Sequence, residues 1–191
     1  MIPELAAPRV FLLAVDMTDS LSALRSAVRD VPDFPKEGIL FKDITPILAD
    51  AALFRRAVDC FVQANASRSI DKVVGIDARG FLFGAAAAYA MGVGFVPIRK
   101  KGKLPYRSES VSYALEYGEA DVEMHVDAIA PGEKIVLIDD LLATGGTAAA
   151  ASALIAKVGG ELVEAQFLIE LEFLNGRSTL GGVPVRSFIT F

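Results

Sequence analysis

Apolar residues in this chain fall into two kinds of pattern. Residues 135–138 are an unbroken run of Ile, Val and Leu, and further strands are read at 72–76, 94–98, 162–171 and 183–189. The unbroken run 135–138, without alternation, marks a strand covered on both faces. Between them, 50–66 repeats Leu53, Phe54, Ala57, Val58, Phe61 and Val62 at helical spacing. The stretch 81–91 has almost no polar face and predicts a buried helix, and Ala-rich 148–158 favours helix by propensity. Residues 20–31 predict a short helix ending before Pro32, with Ser20 or Asp19 as its cap. Residues 39–45 read as a short extended piece closed by Pro46, 112–117 with 120–126 as a hairpin, and 172–180 as a short helix. Strands alternating with helices imply an α/β fold: a mostly parallel twisted sheet flanked by helices. The turn-rich segment 32–46 is expected to form a small N-terminal hood over the sheet's C-terminal edge, where ligands bind in such folds.

Composition narrows the picture. A chain of 191 residues without internal repeats or a low-complexity linker predicts a single domain, here over 17–191. Net charge of −5 argues against a generic nucleic-acid binder, so any anion site must be local. One cysteine, Cys60, leaves no intramolecular disulfide and reads as core. The lone histidine, His125, has no second histidine to share a metal with and reads as structural, and no protein metal site is expected. Residues 1–16 read as an extension before a natural start at Met17, and are expected to be dispensable. Their apolar stretch 10–15 is too short to span a bilayer, and as a signal peptide it would have only Arg9 as its basic region and no small-x-small cleavage site. Nothing else is apolar for long enough to cross a membrane, so a cytoplasmic protein is expected.

The chemistry concentrates after the run 135–138. Two carboxylates, Asp139 and Asp140, are followed by Ala143, Thr144, Gly145, Gly146 and Thr147, and then by the Ala-rich helix. Small residues let backbone approach an anion, free N–H groups at a helix start point at it, and the threonine hydroxyls add donors. Carboxylates repel phosphate, so the acidic pair should face hydroxyl donors such as those of a ribose. A 5-phosphorylated ribose satisfies both halves. No Gly-x-x-x-x-Gly-Lys-Ser/Thr and no Gly-x-Gly-x-x-Gly opening a helix is present, which excludes a P-loop and disfavours a dinucleotide fold.

Further segments complete a site. Asp77, Ala78, Arg79 and Gly80 form a turn at a strand end that opens a helix, with backbone donors and one guanidinium for a second phosphate. Five cations fall within 99–107: Arg99, Lys100, Lys101, Lys103 and Arg107. Taken singly, these are a helix start with a surface arginine and a solvated loop; together they account for a pyrophosphate, whose negative charge grows as a bond to it breaks. Glu116 lies between the aromatics Tyr113 and Tyr117, a setting that raises a carboxyl pKa and suits proton transfer. Leu40, Phe41 and Lys42 offer an apolar edge and free backbone groups to a flat heterocycle.

These segments, in this order and spacing, resemble the adenine phosphoribosyltransferases among the type I phosphoribosyltransferases. The resemblance runs from about Leu21 to the C-terminus, with Ala78 where several relatives carry Ser and Lys42 where many carry Arg. It implies Mg2+-dependent purine salvage, in which a phosphoribosyl group passes from phosphoribosyl pyrophosphate to N9 of adenine to give AMP and pyrophosphate. It assigns Ala143–Thr147 to the 5-phosphate, and Asp139 and Asp140 to the ribose and its cationic transition state. Ala78, Arg79, Gly80, Arg99, Lys100 and Lys103 fall to pyrophosphate, and Leu40–Lys42 to adenine. Glu116 is assigned to the proton. The metal would be bound mainly through phosphoribosyl pyrophosphate. A homodimer is implied, across which Lys103 could be donated. Two alternatives stay open. One is an enzyme for another purine, such as hypoxanthine or xanthine. The other is a regulatory protein that senses phosphoribosyl pyrophosphate without turnover, although no helix-turn-helix accompanies the fold.

Overall fold

The computed structural model describes residues 17–115 and 118–191; the extension 1–16 and Glu116 lie outside them. In chain order the elements are α1 (Met17–Ala27), β1 (Arg29–Pro32), β2 (Leu40–Asp43), α2 (Thr45–Ala49), α3 (Ala51–Asn65), β3 (Lys72–Ile76), α4 (Gly80–Met91), β4 (Gly94–Lys100), β5 (Ser108–Leu115), β6 (Gly118–His125), β7 (Lys134–Leu142), α5 (Gly146–Lys157), β8 (Glu161–Glu170), two 3-10 turns (Glu172–Leu174 and Gly176–Leu180) and β9 (Val185–Thr190). Seven strands form one sheet in the order β5-β6-β4-β3-β7-β8-β9, and β1 and β2 form a separate antiparallel ribbon. Within the large sheet β4, β3, β7, β8 and β9 run parallel, and β6 and β5 are antiparallel additions. Among the described residues, no helix is long and apolar enough to cross a membrane.

The run 135–138 has the two-sided burial expected of it. Along β7, Ile135 and Leu137 pack into the layer beneath α5, while Val136 and Ile138 pack beneath α3 and α4. All four are fully buried. This three-layer arrangement is the α/β architecture anticipated, and the helices 50–66 and 148–158 appear close to their expected bounds.

Other elements differ from expectation, each for a physical reason. The segment 20–31 is not one helix. It starts earlier, at Met17, closes with Val28 N–H donating to Arg25 C=O, and gives way to β1. There the ladder to β2 and the Arg29–Asp43 ion pair, 2.5 Å, outweigh helix propensity. Pro46 does not end structure but opens α2, where a missing N–H removes no helical bond. Asp50, between α2 and α3, caps α3 by accepting from Ala52 and Leu53 N–H at 2.8 and 2.9 Å. The helix expected over 172–180 is broken by Asn175 at φ 51° into two 3-10 turns. Helix α4 is not buried all round. Phe83, Ala87 and Ala88 face the core, with Phe83 between Phe54 and Phe61, but Leu82 and Tyr89 are 46% and 76% exposed. A helix packed on a sheet on one side and on α3 on another still has a third side.

One buried polar network ties α3 to β8, with Arg186 of the edge strand β9 joining it. Asn65 Nδ2 donates to Phe61 C=O (2.8 Å) and Gln166 Oε1 (3.0 Å), and Gln166 Nε2 donates back to Asn65 Oδ1 (3.1 Å) and to Glu164 Oε2 (2.7 Å). Arg68 and Arg186 both donate to Glu164. Burial pushes the Glu164 carboxyl up, but the hydrogen bonds from Arg68, Arg186 and Gln166 outweigh it and hold the group below its ordinary value of 4.5. Stability from such a group is present above that value and is lost as pH falls through the depressed one. Glu164→Gln should therefore cost about 1–3 kcal/mol in urea unfolding at neutral pH, less than a fully enclosed pair because both arginines reach solvent. The difference from the native chain should close as the pH is taken below that ordinary value. A gap that stayed constant with pH would mean the charge contributes nothing.

Candidate active site

The site is positioned by the order of four strands. From β3 the chain crosses through α4 to β4 on one side; from β7 it crosses through α5 to β8 on the other. The two helices lie on opposite faces of the sheet. Where adjacent parallel strands send their helices apart, the loops after them separate and leave a crevice. A cleft of about 370 Å³ opens there, lined by the Asp77–Arg79 turn, Lys100, Tyr113, Asp139–Leu142 and the loop 143–148.

Both helices that begin at the cleft start without side-chain caps. The N-cap of α5 is Gly145, at φ 83°, and that of α4 is Arg79; neither receives a capping hydrogen bond from its own side chain, and no acidic residue stands in either first turn. The first N–H groups of a helix have no intrahelical partner. Two such starts face one cleft, one glycine-rich and one carrying a guanidinium, and an anion is the natural partner of free N–H groups at a helix start.

The acidic pair sits between them. Asp139 Oδ1 accepts from the Asp140 N–H at 2.9 Å, and Asp140 Oδ2 accepts from Arg79 Nε at 2.5 Å. A Cβ on Gly80 would lie 2.5 Å from Asp139 Oδ1, so only glycine lets α4 start this close to β7. Burial pushes the Asp139 carboxyl well above the ordinary carboxylate range, and Asp140 pushes it the same way. A cationic or hydroxyl-bearing partner would relieve both effects.

The structure thus brings together Ala78, Arg79, Lys100, Asp139, Asp140 and Ala143–Thr147 around one cavity. Gly80 stands directly behind Asp139. Arg99 is held at the margin, donating from Nε to Asp77 Oδ2 (3.0 Å) and from Nη1 to Lys103 C=O (3.2 Å), which shapes the cationic loop. Lys103 itself is exposed and does not line the cavity. The β1–β2 ribbon forms the expected hood. Phe41 approaches the site, its ring centroid 5.6 Å from the Arg79 guanidinium carbon and 5.1 Å from the Phe34 ring. Leu40 is half exposed beside it. The Lys42 ammonium is committed elsewhere, 2.6 Å from Asp30 and 4.1 Å from the Phe191 ring centroid. Two polar cleft residues carry no sequence assignment: Asp77, the partner of Arg99, and Tyr113. The signal for Asp77 was its place at a strand end; for Tyr113 it was only its phase in the hairpin. Cys60 is buried, with its thiol pushed up to about 11 by burial. Among the described residues, no group of three or more His, Cys, Asp and Glu side chains could hold a metal ion.

Residues 44–176 match the phosphoribosyl transferase domain family. The adenine phosphoribosyltransferase of Anaeromyxobacter dehalogenans is 53% identical over 171 residues, covering 90% of this chain and 99% of that one. The crystal structure of adenine phosphoribosyltransferase from Thermoanaerobacter pseudethanolicus superposes with a TM-score of 0.87 at 48% identity, covering 90% of this chain and 99% of that one. The Saccharomyces cerevisiae enzyme, solved with an imino-altritol bisphosphate and adenine, superposes with a TM-score of 0.86 at 42% identity over 90% and 99% of the two chains. With likeness of this degree covering hood, sheet and cleft together, the chain belongs to the adenine phosphoribosyltransferase family.

Proposed function

We propose that this protein catalyses adenine salvage: transfer of the 5-phosphoribosyl group from phosphoribosyl pyrophosphate to N9 of adenine, giving AMP and pyrophosphate. The observation that carries the reading is the pair of uncapped helix starts on either side of two adjacent carboxylates in one cleft. Few ligands need two separate phosphate sites with hydroxyl acceptors between them.

In this reading, the backbone N–H groups and hydroxyls of Ala143–Thr147 hold the 5-phosphate. Asp139 and Asp140 accept from the ribose hydroxyls and face the positive charge that develops on the sugar as the C1–O bond breaks. The Ala78–Gly80 turn, Arg79 and Lys100 take the departing pyrophosphate, with Arg99 and Lys103 drawn in from the cationic loop. Arg79 exchanges partners on binding, leaving Asp140 for the pyrophosphate and releasing that carboxylate to the ribose. Mg2+ would be held mainly by phosphoribosyl pyrophosphate, because the described residues of the cleft offer no group of three or more metal-ligating side chains of their own. When bound, it would neutralise charge on the leaving group.

The hood reads the base through its main chain. Every second residue of β2 turns its N–H and C=O away from β1. A fixed donor and acceptor from Leu40 to Lys42 match the N6 donor and N1 acceptor of adenine and mismatch a 6-oxopurine. The Lys42 side chain, paired with Asp30, takes no part. Adenine should be turned over with Mg2+ and not in EDTA, and hypoxanthine, guanine and xanthine about 10⁴-fold less efficiently, as is usual where a mismatch strands buried polar groups. Comparable kcat/KM for hypoxanthine would point to a different purine substrate.

Glu116 is the proposed proton-handling group at the purine imidazole edge. Glu116→Gln should lower kcat by about 10²–10⁴-fold and leave phosphoribosyl pyrophosphate affinity nearly unchanged. Asp140→Asn should depress kcat far more than the KM for adenine. If its main effect were a raised Mg2+ requirement, the carboxylate would be a metal ligand instead.

We also propose a homodimer, supported by the apolar exposed stripe Leu82, Ala85 and Tyr89 on α4. Sedimentation velocity should give a two-chain species, and Leu82→Glu with Tyr89→Asp should convert it to single chains. A monomer in the unaltered protein would leave that stripe without this role.

A further inference from the structure

We propose that the 3-10 turn Gly176–Leu180 is a buttress that sets the backbone of the phosphate loop, with Gly176, Arg177 and Thr179 acting as positioning residues for the 5-phosphate. The proposal rests on the functional reading above, and none of the three residues lines the cleft.

The contact between turn and loop is backbone against backbone. A Cβ on Gly176 would run into the Ala143 carbonyl oxygen and lie 3.1 Å from the Gly145 nitrogen. A Cβ on Gly145 would in turn run into Thr179 Oγ1 and the Gly176 carbonyl oxygen. Two glycines therefore stand face to face with only backbone and the Thr179 hydroxyl at the contact, and a displacement of the turn is passed to the loop. Thr179 adds direction. Its hydroxyl is 2.8 Å from the Gly176 C=O and 3.3 Å from the Thr144 C=O, so it bridges turn and loop. The loop needs such support because its helix start is uncapped. The N–H groups offered to the anion are aimed by backbone position alone.

The turn is itself anchored at both ends. Arg177 is spread over β8 and β9: Nε and Nη2 donate to Glu170 at 2.7 and 2.6 Å, Nη1 to the Val185 C=O at 2.8 Å, and Nη2 also to Ser187 Oγ at 3.2 Å. Glu170 is 3% exposed. Burial pushes its carboxyl up, yet the hydrogen bonds from Arg177 and Ser187 outweigh this and leave it below the ordinary range, so the pair is charged at neutral pH. At the other end, Leu180 is buried in the core layer that contains Ala148 and Leu154 of α5. The turn is thereby tied to the sheet edge and to the helix whose start it supports.

The pyrophosphate side of the cleft is built on β3 and β4, so its affinity serves as an internal control. Calorimetric titration of the full chain with AMP and, separately, with pyrophosphate and Mg2+ tests the proposal. Gly176→Ala should weaken AMP binding by about tenfold or more, because a shift of the order of 1 Å in a positioning group is costly, and should leave pyrophosphate binding within about twofold. Thr179→Val, which keeps shape and removes the hydroxyl, should weaken AMP about fivefold, with Thr179→Ser restoring it. Should Gly176→Ala fail to fold, the threonine pair decides. Unchanged AMP affinity in the variants, or equal loss for both ligands, overturns the buttress. A native chain that binds neither AMP nor pyrophosphate overturns the functional reading itself, an outcome the variants alone cannot produce.

Discussion

The catalytic end of this molecule depends on β3 and β7 lying side by side while their crossover helices go to opposite faces of the sheet. Parallel pairing fixes the register Gly75 to Ile138, which places the Asp77–Gly80 turn directly beside Asp139 and Asp140. Arg79 and Asp140, 61 positions apart in sequence, thus meet in one cleft. The closeness is absolute at Gly80, where a single methyl group would displace the Asp139 carboxylate.

That arrangement is locally unfavourable without ligand. Two helix starts lack side-chain caps, and one carboxyl is pushed up by burial and by its neighbour. Site features of this kind must be held by structure elsewhere. Here the holding is done by the buried central strands, the Asn65–Gln166–Glu164 network between α3 and β8, and the fork of Arg177 on Glu170. In the proposed reaction, ligand groups would complete the cleft: anions for the N–H groups and hydroxyls for the carboxylates.

The hood shows a division between the two faces of one short strand. Phe41 reaches towards Arg79, whereas Lys42, next in sequence, is drawn by Asp30 and the Phe191 ring. The cation of this segment is thereby turned away from the cleft and ties the ribbon down instead. What the strand can offer a ligand there is an aromatic ring and its backbone groups.

Much of this could be read from sequence because it is local. An unbroken apolar run such as Ile135, Val136, Leu137 and Ile138 needs cover on both faces whatever surrounds it, and the acidic pair followed by Ala143–Thr147 carries its chemistry in adjacent residues. The strands of the large sheet, α3, α5 and most of the cleft lining followed from such signals. What the sequence could not decide are the features set by partners distant in the chain. Arg29 leaves a helix because Asp43 pairs with it; α4 keeps one exposed stripe because α3 covers only one flank; Arg79 turns to Asp140; and Gly176, ordinary in its own segment, matters because Ala143 and Gly145 lie against it. Local patterns report which residues must be buried or bent, but the partner of each charge and the contact of each glycine arise only when the sheet order brings separate segments together.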